Sequence, residues 1–143
     1  MITGPDAFAA GTEASWAAAR SSLFTDLYQL LMVQLYHRRG LADRTAQFDY
    51  FFRSNPDYGT HQAGFSVTVG HGPLWQWMRA VRFDEPAIAA LAELRDPKGN
   101  HRFSPEFLEW LGATDHFAAL QIKGIEEGRV VHPHVPVLTV TGP

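Results

Sequence analysis

The chain contains no cysteine, so it has neither a disulfide framework nor a thiolate metal site, and cysteine usage says nothing about its compartment. It also lacks a basic excess. Twelve Lys and Arg stand against 15 Asp and Glu, for a formal net charge of -3, and no basic run is longer than Arg38-Arg39. That balance argues against a nucleic-acid partner. No apolar run approaches the roughly 20 residues that cross a bilayer, so no membrane partner is expected. Residues 1–19 are rich in alanine, but they have no basic start, and Asp6 and Glu13 break any apolar stretch, so they do not read as a secretion signal. The expectation is a cytoplasmic protein.

What is present is an apolar, aromatic-rich chain of single-domain length: 143 residues, 45% hydrophobic, enough for one core. Gly4, Pro5 and Gly11 interrupt the small, polar start, so residues 1–20 are expected to form a flexible extension and residues 21–143 the ordered domain. Over residues 23–39, apolar side chains recur at Leu23, Leu27, Leu30 and Leu31, and again at Phe24, Tyr28, Met32 and Leu35. This spacing predicts a mostly buried helix, with Ser22 or Thr25 as cap, Asp26 on the positive end of the dipole, and Gly40 as terminator.

Residues 45–53 alternate as a strand, with Phe48, Tyr50 and Phe52 on one face and Asp49, Phe51 and Arg53 on the other. After the turn residues Asn55-Pro56-Asp57-Tyr58-Gly59, a short strand is expected within 64–69. Three short helices should follow: one with Pro73 in its first turn, one capped by Asp84, and one opened by Ser104-Pro105-Glu106 and ending at Gly112. Strands are then expected at 117–122, 129–132 and 137–140. The sum is an α+β domain with a mixed or antiparallel sheet and several helices, without internal repeat or second domain boundary.

Four stretches carry more than secondary structure. These are Phe24-Thr25-Asp26-Leu27-Tyr28-Gln29-Leu30, Phe48-Asp49-Tyr50-Phe51-Phe52-Arg53, Glu127-Gly128-Arg129-Val130-Val131-His132-Pro133, and Pro136-Val137-Leu138-Thr139-Val140-Thr141-Gly142-Pro143. Their order and spacing resemble the N-terminal domain of nicotinate phosphoribosyltransferases, over everything but the extension. Gly70-His71-Gly72 and the residues before it depart from that family, which commonly has an aromatic or small-residue segment there.

The resemblance implies the N-terminal domain of a barrel-type (type II) phosphoribosyltransferase, with a much longer barrel expected beyond Pro143. The complete enzyme would transfer a phosphoribosyl group from phosphoribosyl pyrophosphate to nicotinate, giving nicotinate mononucleotide for NAD biosynthesis. ATP hydrolysis would drive the reaction and Mg²⁺ would sit on the pyrophosphate; neither would be bound by this segment alone. A homodimer is implied, and this segment by itself would be inactive.

For single residues, spacing alone reads Tyr28 as core, since an aromatic within an apolar helical stripe usually packs inside. The resemblance instead implies that Tyr28 stacks on the pyridine ring in the neighbouring subunit's site. By spacing Arg53 is a surface arginine; by resemblance to the related nicotinamide enzymes it reaches a substrate phosphate across the dimer interface, as its planar fork of donors suits. Asp26 reads as a capping or orienting residue and no catalytic residue is expected here.

Among the other candidates, His132 and His134 would point to the same side of a strand, as a metal pair requires, but Pro133 lies between them and no partner ligand is nearby in sequence. Gly70-His71-Gly72 resembles the start of a phosphate loop, yet no third glycine follows and Pro73 removes a donor. The phosphorylated histidine of the family belongs to its barrel, so none of the seven histidines inherits that role. A different class of reading also touches the closing strands, which resemble the hammerhead of biotinyl and lipoyl carrier domains. Lys123-Gly124 is the only nearby candidate for a modified hairpin tip, and it lacks the flanking pattern.

Overall fold

The order of elements in the computed structural model, which describes Ser15 and residues 17–143, follows local signals closely. Helix α1 spans Leu27–Arg38, strand β1 Ala46–Tyr50, β2 Ser66–Val67, α2 His71–Ala80, α3 Glu85–Ala92, α4 Pro105–Ala113, β3 Gln121–Gly124, β4 Val130–Val131 and β5 Leu138–Gly142. Of the extension expected over residues 1–20, only Ser15 and residues 17–20 are described, and they are helical.

The chain packs as two units of interleaved sequence: the part up to Ala42 with Arg79–Asp115, and Asp43–Met78 with His116–Pro143. The first is helical. Its core gathers Leu30, Leu91, Phe103, Phe107, Leu108 and Leu111, with Phe103 and Phe107 stacked at 5.7 Å between ring centroids. Helices α3 and α4 form because each has a polar cap before an apolar run: the Asp84 carboxylate accepts from Ala87 N–H at 3.0 Å, and Ser104 Oγ from Phe107 N–H at 3.4 Å. Each also carries a proline in its first turn, where no donor is needed. Helix α1 ends where Gly40 adopts φ +65°: Gly40 N–H donates to the His37 carbonyl and Leu41 N–H to the Tyr36 carbonyl, which closes the last turn.

The second unit is built on two antiparallel sheets. One has the order β1-β5-β3, with Phe48 opposite Val140 and Val140 opposite Ile122; the other pairs β2 with β4. The fold is thus α+β with antiparallel sheets and several helices, as expected, but the strands form two sheets.

Several expectations are corrected here. Helix α1 starts at Leu27 rather than Leu23, with Asp26 as the cap residue; its carboxylate makes no capping bond, and Thr25 instead hydrogen-bonds the Gln29 side chain. Nor is α1 mostly buried, since only Leu30 and Gln34 are. An apolar stripe marks which side chains avoid water, not which of them find cover within the same unit. Residues 117–119 form a turn, so β3 starts later than expected, and β4 is two residues long because Pro133 and the turn around His134 end its pairing.

Candidate functional site

Tyr28 stands in the first turn of α1, one residue beyond Leu27, and 58% of it is exposed. The core placement suggested by spacing is therefore overturned. The reason is rotational. The buried stripe of α1 runs through Leu30 and Gln34, and Tyr28 lies roughly 160° from Leu30 around the helix axis at about 100° per residue. Phe24, Met32 and Leu35 are exposed with it. At the start of the helix, Leu23, Phe24, Thr25, Asp26 and Gln29 line an open concavity of about 420 Å³. The first turn of α1 carries no acidic side chain, Asp26 makes no side-chain capping bond, and both Thr25 and Asp26 are among the residues lining this concavity.

Arg53 belongs to the other unit. Strand pairing proper ends at Tyr50, but the chain is held two residues further. Tyr50 carbonyl accepts from Val137 N–H at 2.7 Å, and Phe52 carbonyl from His134 N–H at 2.9 Å. His134, at φ +64°, brings its ring to 5.9 Å from Phe51. These bonds anchor the residue immediately before Arg53, so its side chain leaves from a fixed backbone. Arg53 is exposed, and among the described residues its guanidinium joins no ion pair.

The two histidines expected to share a strand face do not. His132 follows β4, and His134 sits in a turn with a left-handed backbone, its N–H committed to Phe52. Among the described residues no three His, Asp or Glu side chains gather as metal ligands. Lys123 lies within strand β3, paired opposite Thr139, rather than at a hairpin tip, and a carrier reading has no attachment point there.

Gly70-His71-Gly72 has a clear role that its sequence did not reveal. Gly70 turns the chain at φ +99°, and α2 begins at His71. The backbone N–H groups that a phosphate loop would offer are taken by Glu127, whose Oε1 accepts from His71 N–H at 2.5 Å and from Gly72 N–H at 3.4 Å. The His71 N–H holds the Glu127 carboxyl below its ordinary value; desolvation opposes this, while the Gly70 and Gly72 N–H groups and the charge of His71 add to it. The loop before β4 is pinned as well: Thr68 Oγ1 donates to the Glu126 carbonyl at 2.6 Å, and Gly128 N–H to the Thr68 carbonyl at 2.8 Å. Glu127 is the first residue of the Glu-Gly stretch noted in the sequence; its partner lies 55 positions away, beyond any local pattern.

Comparison with known proteins adds an independent line. A profile of the nicotinate phosphoribosyltransferase (NAPRTase) N-terminal domain matches residues 23–143. The nicotinate phosphoribosyltransferase of Caenorhabditis elegans is 34% identical over 121 residues, covering 85% of this chain and 20% of that protein. The Homo sapiens protein of the same name is 34% identical over 126 residues, covering 88% of this chain and 22% of the relative. The crystal structure of human nicotinic acid phosphoribosyltransferase superposes with a TM-score of 0.69 at 34% identity, over 85% of this chain and 22% of that one. The chain therefore spans about a fifth of the length of the relatives it matches.

Proposed function

The chain belongs to the nicotinate phosphoribosyltransferase family, and from that premise we propose that it is the N-terminal domain of an enzyme forming nicotinate mononucleotide from nicotinate and phosphoribosyl pyrophosphate. The observation that carries the reading furthest is the exposure of Tyr28 on α1 beside the Thr25-Asp26 step. A phenol ring retained in water at that position offers a flat apolar face to an aromatic acid, leaving the carboxylate of the acid to other groups. In the proposal Tyr28 stacks on the pyridine ring, in the site of a second subunit. Arg53, exposed on a backbone held through Phe52, meets a substrate phosphate by charge-assisted hydrogen bonds.

The domain's contribution to the reaction is positional. It holds the ring so that its nitrogen meets the anomeric carbon, and places positive charge near the phosphate while pyrophosphate leaves. ATP hydrolysis and Mg²⁺ belong in this proposal to the complete enzyme, at work in the cytoplasm. Among the described residues no three His, Asp or Glu side chains gather as metal ligands, and in this proposal the ion is held on the pyrophosphate.

The test is a product assay with an enzyme carrying residues 23–143 as its N-terminal domain, supplied with labelled nicotinate, phosphoribosyl pyrophosphate, ATP and Mg²⁺. Nicotinate mononucleotide should appear only when phosphoribosyl pyrophosphate is present. The polypeptide of residues 1–143 assayed by itself should give none. Absence of product from the larger enzyme, or turnover by the 143 residues alone, contradicts the reading.

A further inference from the structure

The helix that displays Tyr28 is tied to its unit by its buried residues Leu30 and Gln34, with Leu31 and Val33 packed against the core cluster and His37 against the rings of Phe107 and Trp110. Gln34 is 5% exposed and, with Thr68, is one of two buried polar side chains among the described residues. Both ends of its amide are used. Nε2 donates to the Arg102 carbonyl at 3.0 Å, and Oε1 accepts from the Ser104 backbone N–H at 2.7 Å. These two backbone groups flank Phe103, which is 2% exposed in the core cluster. The side chain thus pairs with the 102–104 segment much as a neighbouring strand would.

An apolar contact such as that of Leu30 is non-directional and tolerates some rotation of the helix about its axis. Two hydrogen bonds from one planar amide do not, since they weaken steeply away from linear geometry. Tyr28 lies six residues before Gln34, about 120° around the axis. We propose that Gln34 is a positioning residue whose two-ended clamp on the backbone of Arg102 and Ser104 sets the rotation of α1 and so holds the Tyr28 ring outward. The positioning stands on this geometry alone; its effect on the reaction rests on the reading of Tyr28 given above.

The chain has four tyrosines, of which Tyr28 and Tyr36 lie on α1 and Tyr50 and Tyr58 in the other unit. Fluorine NMR of the 143-residue chain labelled with 3-fluorotyrosine therefore carries its own control, with Tyr28 assigned through Tyr28→Phe. Gln34→Leu removes both hydrogen bonds at similar volume; it should shift or broaden the Tyr28 and Tyr36 signals and leave those of Tyr50 and Tyr58 in place. An unmoved Tyr28 signal overturns the proposal, as does a uniform collapse of all four with no rescue by the second variant.

That variant is Gln34→Glu. A neutral carboxyl at this position can accept from Ser104 N–H and donate its O–H to the Arg102 carbonyl, whereas a carboxylate cannot donate. Burial favours the neutral form, so lowering the pH from about 8 to about 5 should return the Tyr28 signal to its wild-type position. Other charged or titratable groups on the elements packed here are His37 and Arg38 on the same helix, Arg102 itself, and Glu106 on α4, which feels the charges of Arg38 and His37. The wild-type chain over the same pH range controls for them. Failure of the signal to return with acid also overturns the clamp.

In the larger enzyme, Gln34→Leu should raise the KM for nicotinate about tenfold, with a smaller change in that for phosphoribosyl pyrophosphate. If Tyr28→Ala raises the nicotinate KM and Gln34→Leu does not, the functional half of the inference falls. If Tyr28→Ala itself leaves that KM unchanged, the reading of Tyr28 falls instead, and the clamp is judged by the fluorine signals.

Discussion

Tyr28 and Arg53 are informative for the same physical reason: each is exposed and carries chemistry that a ligand can use, an aromatic face in one and a planar fork of donors in the other. Arg53 is exposed on a backbone held through Phe52. Its replacement by Ala in the complete enzyme should raise the KM for phosphoribosyl pyrophosphate, by about ten- to a hundredfold for a lost charge-assisted contact of about 1.5–3 kcal/mol, while the KM for nicotinate changes less. Steady-state kinetics with each substrate varied in turn checks this; unchanged constants would make Arg53 an ordinary surface residue. Both residues were legible in the sequence as members of matched stretches, and Arg53 as a surface residue, whereas the exposure of Tyr28 was not. Gln34 was not legible at all, because a glutamine among apolar neighbours gives no sign that its amide will meet a backbone segment some 70 positions away.

Among the elements, the ones read correctly are those with local punctuation. Asp84 and Ser104 announce α3 and α4 because a cap and its target N–H lie three residues apart, and Gly40 ends α1 because the turn needs a left-handed residue. The strand partners had no such signal. That 46–50 pairs with 138–142, and 66–67 with 130–131, depends on chain segments brought together over long separations, so one expected sheet became two. The cap of α2 is the clearest instance, since Glu127 comes from across the chain. Because its pKa is depressed in the folded state, its contribution to stability is full above the unfolded value near 4.5 and is lost as pH falls through the folded value. Glu127→Gln, which cannot lose charge, should narrow the loss of melting temperature between about pH 7 and pH 3 relative to wild type. Asp96 and Glu106 are depressed as well, Asp96 first by the Asn100 side chain and Glu106 first by its own backbone N–H. Acid sensitivity should therefore diminish in the variant without disappearing; melting curves that change equally with pH in both proteins would remove Glu127 from this role.

At the scale of the whole molecule, the described residues leave many large apolar side chains in water. Phe24, Tyr28, Met32 and Leu35 are exposed along α1 and its approach, Phe48 and Tyr50 share one face of β1, and Phe65, Val67 and Val69 alternate along β2 and its flanks. Surfaces of this kind associate. The isolated 143-residue chain should self-associate with rising concentration in sedimentation velocity, and a strictly monomeric boundary up to high concentration would contradict that. The same surplus explains why α1 reads as buried in sequence: its apolar pattern runs on through side chains that the fold leaves exposed. The central claim is that one such side chain, Tyr28, contacts nicotinate, and core and ligand roles make opposite demands on it. The most direct measurement is nicotinate KM beside thermal unfolding, for Tyr28→Phe and Tyr28→Ala in the complete enzyme. The account predicts that Phe retains most activity because the π-face survives. Ala should raise the nicotinate KM by the equivalent of about 1–3 kcal/mol, with stability changed by less than about 1 kcal/mol, as for an exposed side chain. A loss of about 3–5 kcal/mol in folding stability with an unchanged nicotinate KM in the folded fraction would contradict it.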